Sequence, residues 1–593
     1  MQPVDASLVM MLDGSKQFII PRFQRSYTWK VGVKASRVKR FWEDILESYY
    51  SNTRHFTGSI VFTNTNLGTV LLPCHYIVDG QQRLMTTSLM LCAFHKVLSD
   101  DPSFKDICIS IRKLLSNEID SAYGEKLKIV PSEKDYPVYN RIVNGKPRPE
   151  DKDHVVSKAF NYFVKEIKTL YDDEDFGSEG VRSLYNSILE KIHVCAILID
   201  DGEDPGSIFE SLNGKGEVLE RIDLVRNYIL MNLLNNPEPN DYQKKFYDQY
   251  WSEFESSFDK PAEAEAFLRS YLMINGSRVT SSNLYDVVKE LIDNLVDQSR
   301  VDGQICQETL FKKMSDFMET VERYLGYYQI ILGKAEFKSA QYSRIIKRSF
   351  ENLKQIGAST FRPYILKAFE THHSGVISDE EFVQIVRTVD SYFMRRSMYI
   401  GLVNNKVDGL FINLCKNSEV SFMSLFETLS SQKDPKTFWP TDNQLLNDVF
   451  RSKPMYCDSG NDTLTWVLHR IDEKENGKPL QLTSDDTIEH VFPRTPANTE
   501  WEKCPDFDYM YTHRDYIGNL TLSDHNGNHA RRPYSEKRTL YIQIENHPIT
   551  RRLAEKYEEW NKNTIEIRTN EMARSIVSIW PRDDIINNPI PKW

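Results

Sequence analysis

The 593-residue chain is poor in the features that would settle its class quickly. Its eight cysteines, Cys74, Cys92, Cys108, Cys195, Cys306, Cys415, Cys457 and Cys504, are scattered and never form a CxxC pair. That spacing excludes a zinc ribbon and a disulfide framework and predicts a reducing, cytoplasmic setting. No apolar run approaches the roughly 20 residues a membrane helix needs, so no membrane partner is expected. The opening MQPVDASLVMMLDGSKQ has no basic start and no cleavage site, and reads as ordinary chain rather than a signal peptide. No GxxxxGK[ST] occurs, because every Gly-Lys pair is followed by Gly, Ala or Pro. A Walker-type phosphate loop is therefore not expected. Internal repeats and long low-complexity tracts are also missing.

What is present is a globular composition, 40% hydrophobic and 27% charged, on a chain too long for one core. The net charge of -11 argues against nucleic acid only on average. Residues 14–42 hold eight Lys/Arg and no acid, and residues 529–552 hold six Lys/Arg against Glu536 and Glu545. Local charge sets the field at a site, so two basic segments on an acidic body suit phosphate binding. Two solvated basic surfaces would look the same in sequence.

Residues 1–235 read as α/β, with strands over Phe56–Phe62 and His75–Val78 and helices over Phe41–Leu46 and Leu84–Leu98. Residues 236–450 are dominated by helical periodicity, as in Glu263–Ile274, Leu310–Leu332 and Glu380–Met398. Residues 451–593 return to short strand-like runs broken by Pro, Asn and Gly. Turn-rich stretches at 144–149, 431–435 and 457–462 are expected to be loops or boundaries. The predicted class is multidomain α/β plus α.

The last part carries a chemical constellation. In Thr487-Ile-Glu-His-Val-Phe-Pro-Arg494 an acid directly precedes a histidine. Asn519 follows His490 by twenty-nine residues, within Gly-Asn-Leu, and Asn528 follows Asn519 by nine. An imidazole can deprotonate water, and an amide oxygen can accept its other N–H and so orient the ring. A carboxylate and an amide oxygen suit Mg²⁺, which takes hard oxygen ligands. Taken one at a time, His490 could be a core histidine and the asparagines turn formers. Together they resemble the His-Me finger nucleases, a β-hairpin followed by a helix (ββα-metal). That resemblance implies Glu489 and Asn528 as metal ligands for Mg²⁺ or Mn²⁺, His490 as general base and Asn519 as its orienting residue. Lys537 and Arg538 on the following helix would reach DNA phosphates. Many relatives carry His at the second ligand position, so His525 and His529 stay open as alternatives to Asn528.

Three N-terminal segments stand out as well. Ile20-Pro-Arg-Phe-Gln-Arg-Ser-Tyr-Thr-Trp29 interleaves cations with aromatics, which suits stacking on a base or gripping phosphates. Arg22, Tyr27 and Trp29 are the candidate DNA contacts. In Ile77-Val-Asp-Gly-Gln-Gln-Arg83 a strand ends in Asp-Gly and a helix begins, presenting N–H groups and the positive helix end to an anion. The third segment is Phe209-Glu-Ser-Leu-Asn-Gly-Lys-Gly-Glu-Val-Leu-Glu-Arg-Ile-Asp-Leu-Val-Arg-Asn227. Singly, each could be a tight turn or a core strand.

In this order, and with IEHVFPR and IGNLTLSDHNGN behind them, the segments resemble the GmrSD family of modification-dependent restriction enzymes nearly end to end. The resemblance implies a ParB/sulfiredoxin-like domain at 1–235 that binds and hydrolyses GTP or ATP. Gln24, Arg25, Asp79, Gly80, Gln81, Gln82, Arg83 and Asn213 would form the nucleotide site, with Gly216 and Asp223 as further members. A helical coupling region at 236–450 and an HNH-like nuclease domain at 451–593 complete the scheme. The expected function is antiphage restriction: cutting or nicking chemically modified double-stranded phage DNA under nucleotide control, with a homo-oligomer left open. The alternatives are a nucleotide-dependent DNA-binding regulator with a degenerate nuclease, or a stand-alone toxin nuclease.

Overall fold

The structure is a computed structural model that describes residues 2–586, except 22–23, 25, 33–35, 66–67, 121–125, 200–220, 234–240, 340, 401–403, 417–418, 459, 479, 481 and 484. The chain forms two compact units, one of residues 1–265 with 282–318 and one of 266–281 with 319–593.

The first unit is built on a six-stranded mixed sheet in the order β1-β6-β3-β4-β2-β5. The strands are β1 (Gln2–Ser7), β2 (Gln17–Ile19), β3 (His55–Asn64), β4 (Cys74–Asp79), β5 (Ile129–Val130) and β6 (Ile192–Ile199). The expected strands at 56–62 and 75–78 are thus β3 and β4. β6, with the nearly continuous apolar run Ile-His-Val-Cys-Ala-Ile-Leu-Ile, lies inside the sheet, antiparallel to β1 and parallel to β3. An apolar run without alternation is what a strand covered on both faces needs.

Six helices of this unit are α1 (Arg37–Ser51), α2 (Gln81–Leu98), α3 (Lys105–Leu115), α4 (Tyr136–Val143), α5 (Val155–Tyr171) and α6 (Gly177–Lys191). Fourteen of the eighteen α2 residues are buried, so α2 is a central helix and has no polar face. α1 is amphipathic, starts at Ser36, whose hydroxyl accepts from the Lys39 N–H (3.2 Å), and stops at Asn52 in the left-handed region. Trp42 of α1 packs between Phe94 of α2 and Phe163 of α5. A small hairpin, β7 (Arg300–Val301) with β8 (Gln304–Ile305), also belongs to this unit.

The second unit is mainly helical, as the periodicity of the middle segment predicts. Its helices include Ser343–Gln355, Arg362–His373, Asp379–Ile400, Asp462–Asn476 and Lys562–Ile579. Arg395 and Arg396 are fully buried yet satisfied, because their guanidinium groups donate to the carbonyls of Trp580, Pro440, Phe438 and Lys436.

The final segment departs from its expected strand content. Among the described residues it holds one antiparallel pair, β9 (Thr487–His490) and β10 (Leu520–Ser523), with Leu520 opposite His490 and Thr521 opposite Glu489. The rest is helical, including Tyr534–Gln543, Pro548–Lys556 and Lys562–Ile579. The Pro and Asn residues that suggested strand breaks are helix starts: Pro548 sits in the first helical turn, and the Asn561 side chain accepts from the Thr564 N–H. Among the described residues no helix is long and apolar enough to cross a membrane.

Candidate active site

His490 ends β9, and its imidazole is nearly buried. Its Nε2 lies 3.0 Å from Asp515 Oδ1. A carboxylate oxygen accepts, so Nε2 carries the proton and the Nδ1 lone pair is left for a substrate proton. Burial, opposed by Asp515, pushes the imidazole down to about 4, which keeps it uncharged at neutral pH. The Tyr456 ring packs edge-on against it at 4.6 Å. Arg494 stacks over Tyr456 and brings its Nε within 3.1 Å of Asp515 Oδ1, and Arg514 lies 3.7 Å from Oδ2. A histidine base, its carboxylate and two partly exposed arginines therefore meet at one place.

Glu489 points the other way from the strand, as alternation requires. Its Oε1 accepts from the Lys537 ammonium (2.6 Å) and the Tyr541 hydroxyl (2.9 Å), both buried. Lys537 also donates to the His490 carbonyl (2.8 Å). Among the described residues none bonds to Oε2. Two donors on one oxygen fix the rotamer and leave the second oxygen available, the arrangement that orients a metal-binding carboxylate.

Asn519 does not orient His490 directly. It is fully buried, and its Oδ1 accepts from the Phe492 N–H (2.8 Å) and the Trp560 indole (3.0 Å). Its Nδ2 donates to the carbonyls of Phe492 (2.9 Å) and Arg514 (2.7 Å). Asn519 thus ties the chain leaving β9 to the residue before Asp515, and Asp515 meets the imidazole. Gly518 is needed beside it: a Cβ there would lie 2.4 Å from the Ile565 carbonyl oxygen. The guanidinium of buried Arg568 donates to the carbonyls of Gly518 (2.8 Å) and Leu520 (2.6 Å), holding β10 against the helix Lys562–Ile579.

Two further expectations change. Lys537 is fully buried in its pair with Glu489 and is no free phosphate contact, whereas part-buried Arg538 donates only its Nε to the Ala554 carbonyl (2.8 Å). Lys537 turns inward because buried Glu489 needs a counter-charge. Asn528 is exposed on the short helix Asn526–His529, which Asn526 ties to β9 through the Ile488 carbonyl (3.0 Å). Of the alternative ligands, His529 is fully buried against Glu545 and Tyr541. His525 pairs with Asp524 (2.8 Å), and with Glu545 the two form a cluster whose ligand atoms lie within 4.8 Å of one another.

In the first unit the structure brings two of the three N-terminal segments together. Gln24 donates through its Nε2 to the carbonyls of Ile77 and Val78, just before Asp79. Its Oε1 is buried with no hydrogen bond among the described residues. Gln82 accepts from the Thr28 N–H (2.9 Å) and donates to the Ser26 carbonyl (3.3 Å). Gly80 turns β4 into α2 with φ 95°, and a Cβ there would lie 3.0 Å from the Ser59 carbonyl oxygen. Gln81 is buried at the first turn, and half-buried Arg83 donates to that same carbonyl (3.0 Å).

Tyr27 and Trp29, expected at DNA, face the core. Tyr27 is buried with its hydroxyl on Thr86 (2.7 Å) and its N–H on Asp135 (2.6 Å), and Trp29 packs against the core beside Phe41. Tyr27 and Trp29 are packing positions. Arg22, Phe23, Arg25, Asn213 and Gly216 lie outside the described residues. Asp223 pairs with Arg226 at 2.8 Å.

Residues 8–230 match the GmrSD restriction endonuclease N-terminal domain, and residues 439–575 match the GmrSD restriction endonuclease C-terminal domain. The chain belongs to the GmrSD family. No curated protein matches it. Membership in GmrSD makes this a restriction endonuclease chain, with DNA as the substrate class. The first GmrSD match contains the Gln24–Gln82 locale, and the second contains His490, Asp515 and the β9–β10 pair. Asp515, Tyr456, Arg494 and Tyr541 escaped the sequence reading. Asp515 precedes the Gly-Asn-Leu motif by only a few residues, but nothing in its spacing distinguishes it from a surface acid.

Proposed function

We propose that this chain is a nucleotide-dependent, metal-dependent endonuclease of antiphage restriction that cuts or nicks chemically modified double-stranded DNA. The observation that carries the cutting centre is His490, uncharged and held at Nε2 by Asp515, beside a Glu489 whose Oε2 is open. The two strands and following helix are compatible with a ββα-metal hairpin of the His-Me finger type. Nδ1 of His490 takes a proton from water as its oxygen attacks phosphorus. Asp515 stabilises the imidazolium that results, and Arg494 and Arg514 are placed to meet phosphate oxygens. Glu489 and Asn528 would hold Mg²⁺ or Mn²⁺, which supplies Lewis-acid stabilisation of the charge on the departing oxygen. Lys537 and Tyr541 keep Glu489 aimed through their hydrogen bonds to Oε1.

In the same reading, residues 1–235 form a ParB/sulfiredoxin-like domain that binds GTP or ATP at Gln24, Asp79–Arg83 and the neighbouring segments. The unpartnered Gln24 Oε1 suits a nucleotide N–H or hydroxyl. Residues 236–450 couple this domain to the nuclease of 451–593.

Cleavage of matched DNAs, unmodified, base-modified and phosphorothioated, with and without each nucleotide and metal, tests the whole proposal. Cutting should need a divalent cation, a nucleotide and one modification. His490→Ala should abolish cutting while nucleotide hydrolysis survives, and Arg83→Ala should depress nucleotide turnover first. Undiminished cutting by His490→Ala removes the proposed base. Cutting of every DNA alike without nucleotide removes the regulatory half.

A further inference from the structure

A cavity of about 230 Å³ lies within the second unit, among the helices Ser343–Gln355, Asp379–Ile400, Asp462–Asn476 and the end of Lys562–Ile579. Six cations line it, Arg344, Arg348, Arg387, Arg470, Lys474 and Lys478, against two carboxylates, Asp390 and Glu473.

Internal pairing accounts for only part of that charge. Glu473 accepts from Arg348 (2.5 Å) and Leu480 N–H (3.0 Å) and pairs with Arg470. Arg348 also reaches Glu351 (2.6 Å). Arg387, only 7% exposed, makes its hydrogen bond to the neutral Gln384 amide (3.1 Å). It has no ion pair among the described residues, and neither does half-buried Lys474. Burial pushes both cations down, and Asp390 near Arg387 and Glu475 near Lys474 oppose it only in part.

The wall has unmet hydrogen-bonding capacity too. Asp390 is buried, and its Oδ2 accepts from Asn352 (2.8 Å), but Oδ1 makes no well-formed bond although Ser349 and Trp580 lie near the carboxyl. Arg470 Nε is also buried without a partner. Burial pushes the Asp390 carboxyl up to about 7, so near neutrality it can donate to a ligand oxygen. Cations without an ion pair, beside polar atoms lacking hydrogen-bond partners in a recessed cavity, suit an anionic ligand.

We propose that this cavity binds a small ligand bearing a phosphate or diphosphate group, held by Arg387 and Lys474 inside and by Arg344 and Lys478 at the mouth. Guanidinium groups match phosphate oxygens in pairs, and lysines add point charge. The volume admits a phosphate with a small organic portion and is far too small for a duplex. The site shares no residue with the nuclease centre or with the nucleotide site proposed above, so it adds a ligand rather than refining either.

Isothermal titration of the full chain with inorganic phosphate, pyrophosphate and AMP, without divalent metal, tests the proposal. Two variants are titrated beside wild type: the interior Arg387→Gln/Lys474→Met and the exposed-rim Arg344→Glu/Lys478→Glu. A third, Arg83→Ala, lies in the N-terminal site. At least one probe should bind wild type and Arg83→Ala alike and weaken about tenfold or more in both cavity variants. AMP binding above inorganic phosphate assigns a nucleotide-like ligand, and the reverse assigns free phosphate or diphosphate. No binding to wild type overturns the site. Binding that survives the cavity changes and falls with Arg83→Ala also overturns it. If the interior variant does not fold, the rim variant decides by the same criterion.

Discussion

A histidine as buried as His490 loses the water that would stabilise its cation, and Asp515 only partly restores that stabilisation. The acid limb of kcat/KM, which reports the free enzyme, is therefore expected near pH 4, well below the ordinary histidine value of about 6.5. Asp515 raises the imidazole, so Asp515→Asn should move the limb lower still. It should also cut kcat by about a hundredfold or more, through the lost orientation and the lost counter-charge. A limb at the ordinary value would contradict the effect of burial on His490, and an unchanged kcat in Asp515→Asn would remove Asp515 from the site. Glu489 and Lys537 form the second residue-scale test. Lys537→Met strands a buried carboxylate and should cost about 3–5 kcal/mol in denaturant unfolding. DNA affinity measured without metal should stay unchanged, whereas a selective loss of affinity would return Lys537 to the phosphate-contact role its sequence position suggested.

At the scale of elements, the device is the 29-residue excursion from β9 to β10 and the helix Lys562–Ile579 that clamps it. Asn519 closes that excursion with four hydrogen bonds, and Arg568 and Gly518 seal β10 to the helix. Asn519→Ala leaves several buried groups unsatisfied and should lower stability by about 2–4 kcal/mol. Its activity loss should follow misplacement of Asp515, with the pH profile displaced as in Asp515→Asn. An Asn519→Ala enzyme of full stability would contradict this clamp. Gly-Asn-Leu was legible as a motif. Its role was not, because an amide twenty-nine residues from a histidine can face either the ring or the backbone that carries it. The N-terminal segments show the same limit: DGQQR reads correctly as strand, turn and helix, whereas Tyr27 and Trp29 read as ligands and pack as core. Aromatic rings serve both purposes, and only burial separates them.

At the scale of the whole molecule, stability should carry its own pH dependence. Burial opposes the charge on His547, but the carboxylates of Asp472 (3.6 Å away) and Asp486 (hydrogen-bonded at 2.9 Å) prevail and raise it to about 9. The folded state then binds a proton more tightly than the unfolded chain. That stabilisation is fully present below about pH 6.5 and is lost as pH rises through about 9. Thermal unfolding of wild type should therefore weaken across this window relative to His547→Gln, and parallel curves would rule the linkage out. The net charge of -11 described the chain poorly for a related reason. Arginines at the nuclease centre and in the helical cavity are gathered by folding from distant segments, and no window of sequence displays them together.

The sequence by itself determined the family, the α/β start and helical middle, and the presence of Glu489-His490 and DGQQR, because these depend on local periodicity and short motifs. It overstated the strands of the last segment, where Pro and Asn start helices as readily as they break strands. Tertiary structure alone decided that Asp515 meets His490, that Lys537 is the counter-charge of Glu489, and that Asn519 braces the loop between them. Each of those rests on contacts across the fold, chosen by which charged and polar groups burial forces to find partners.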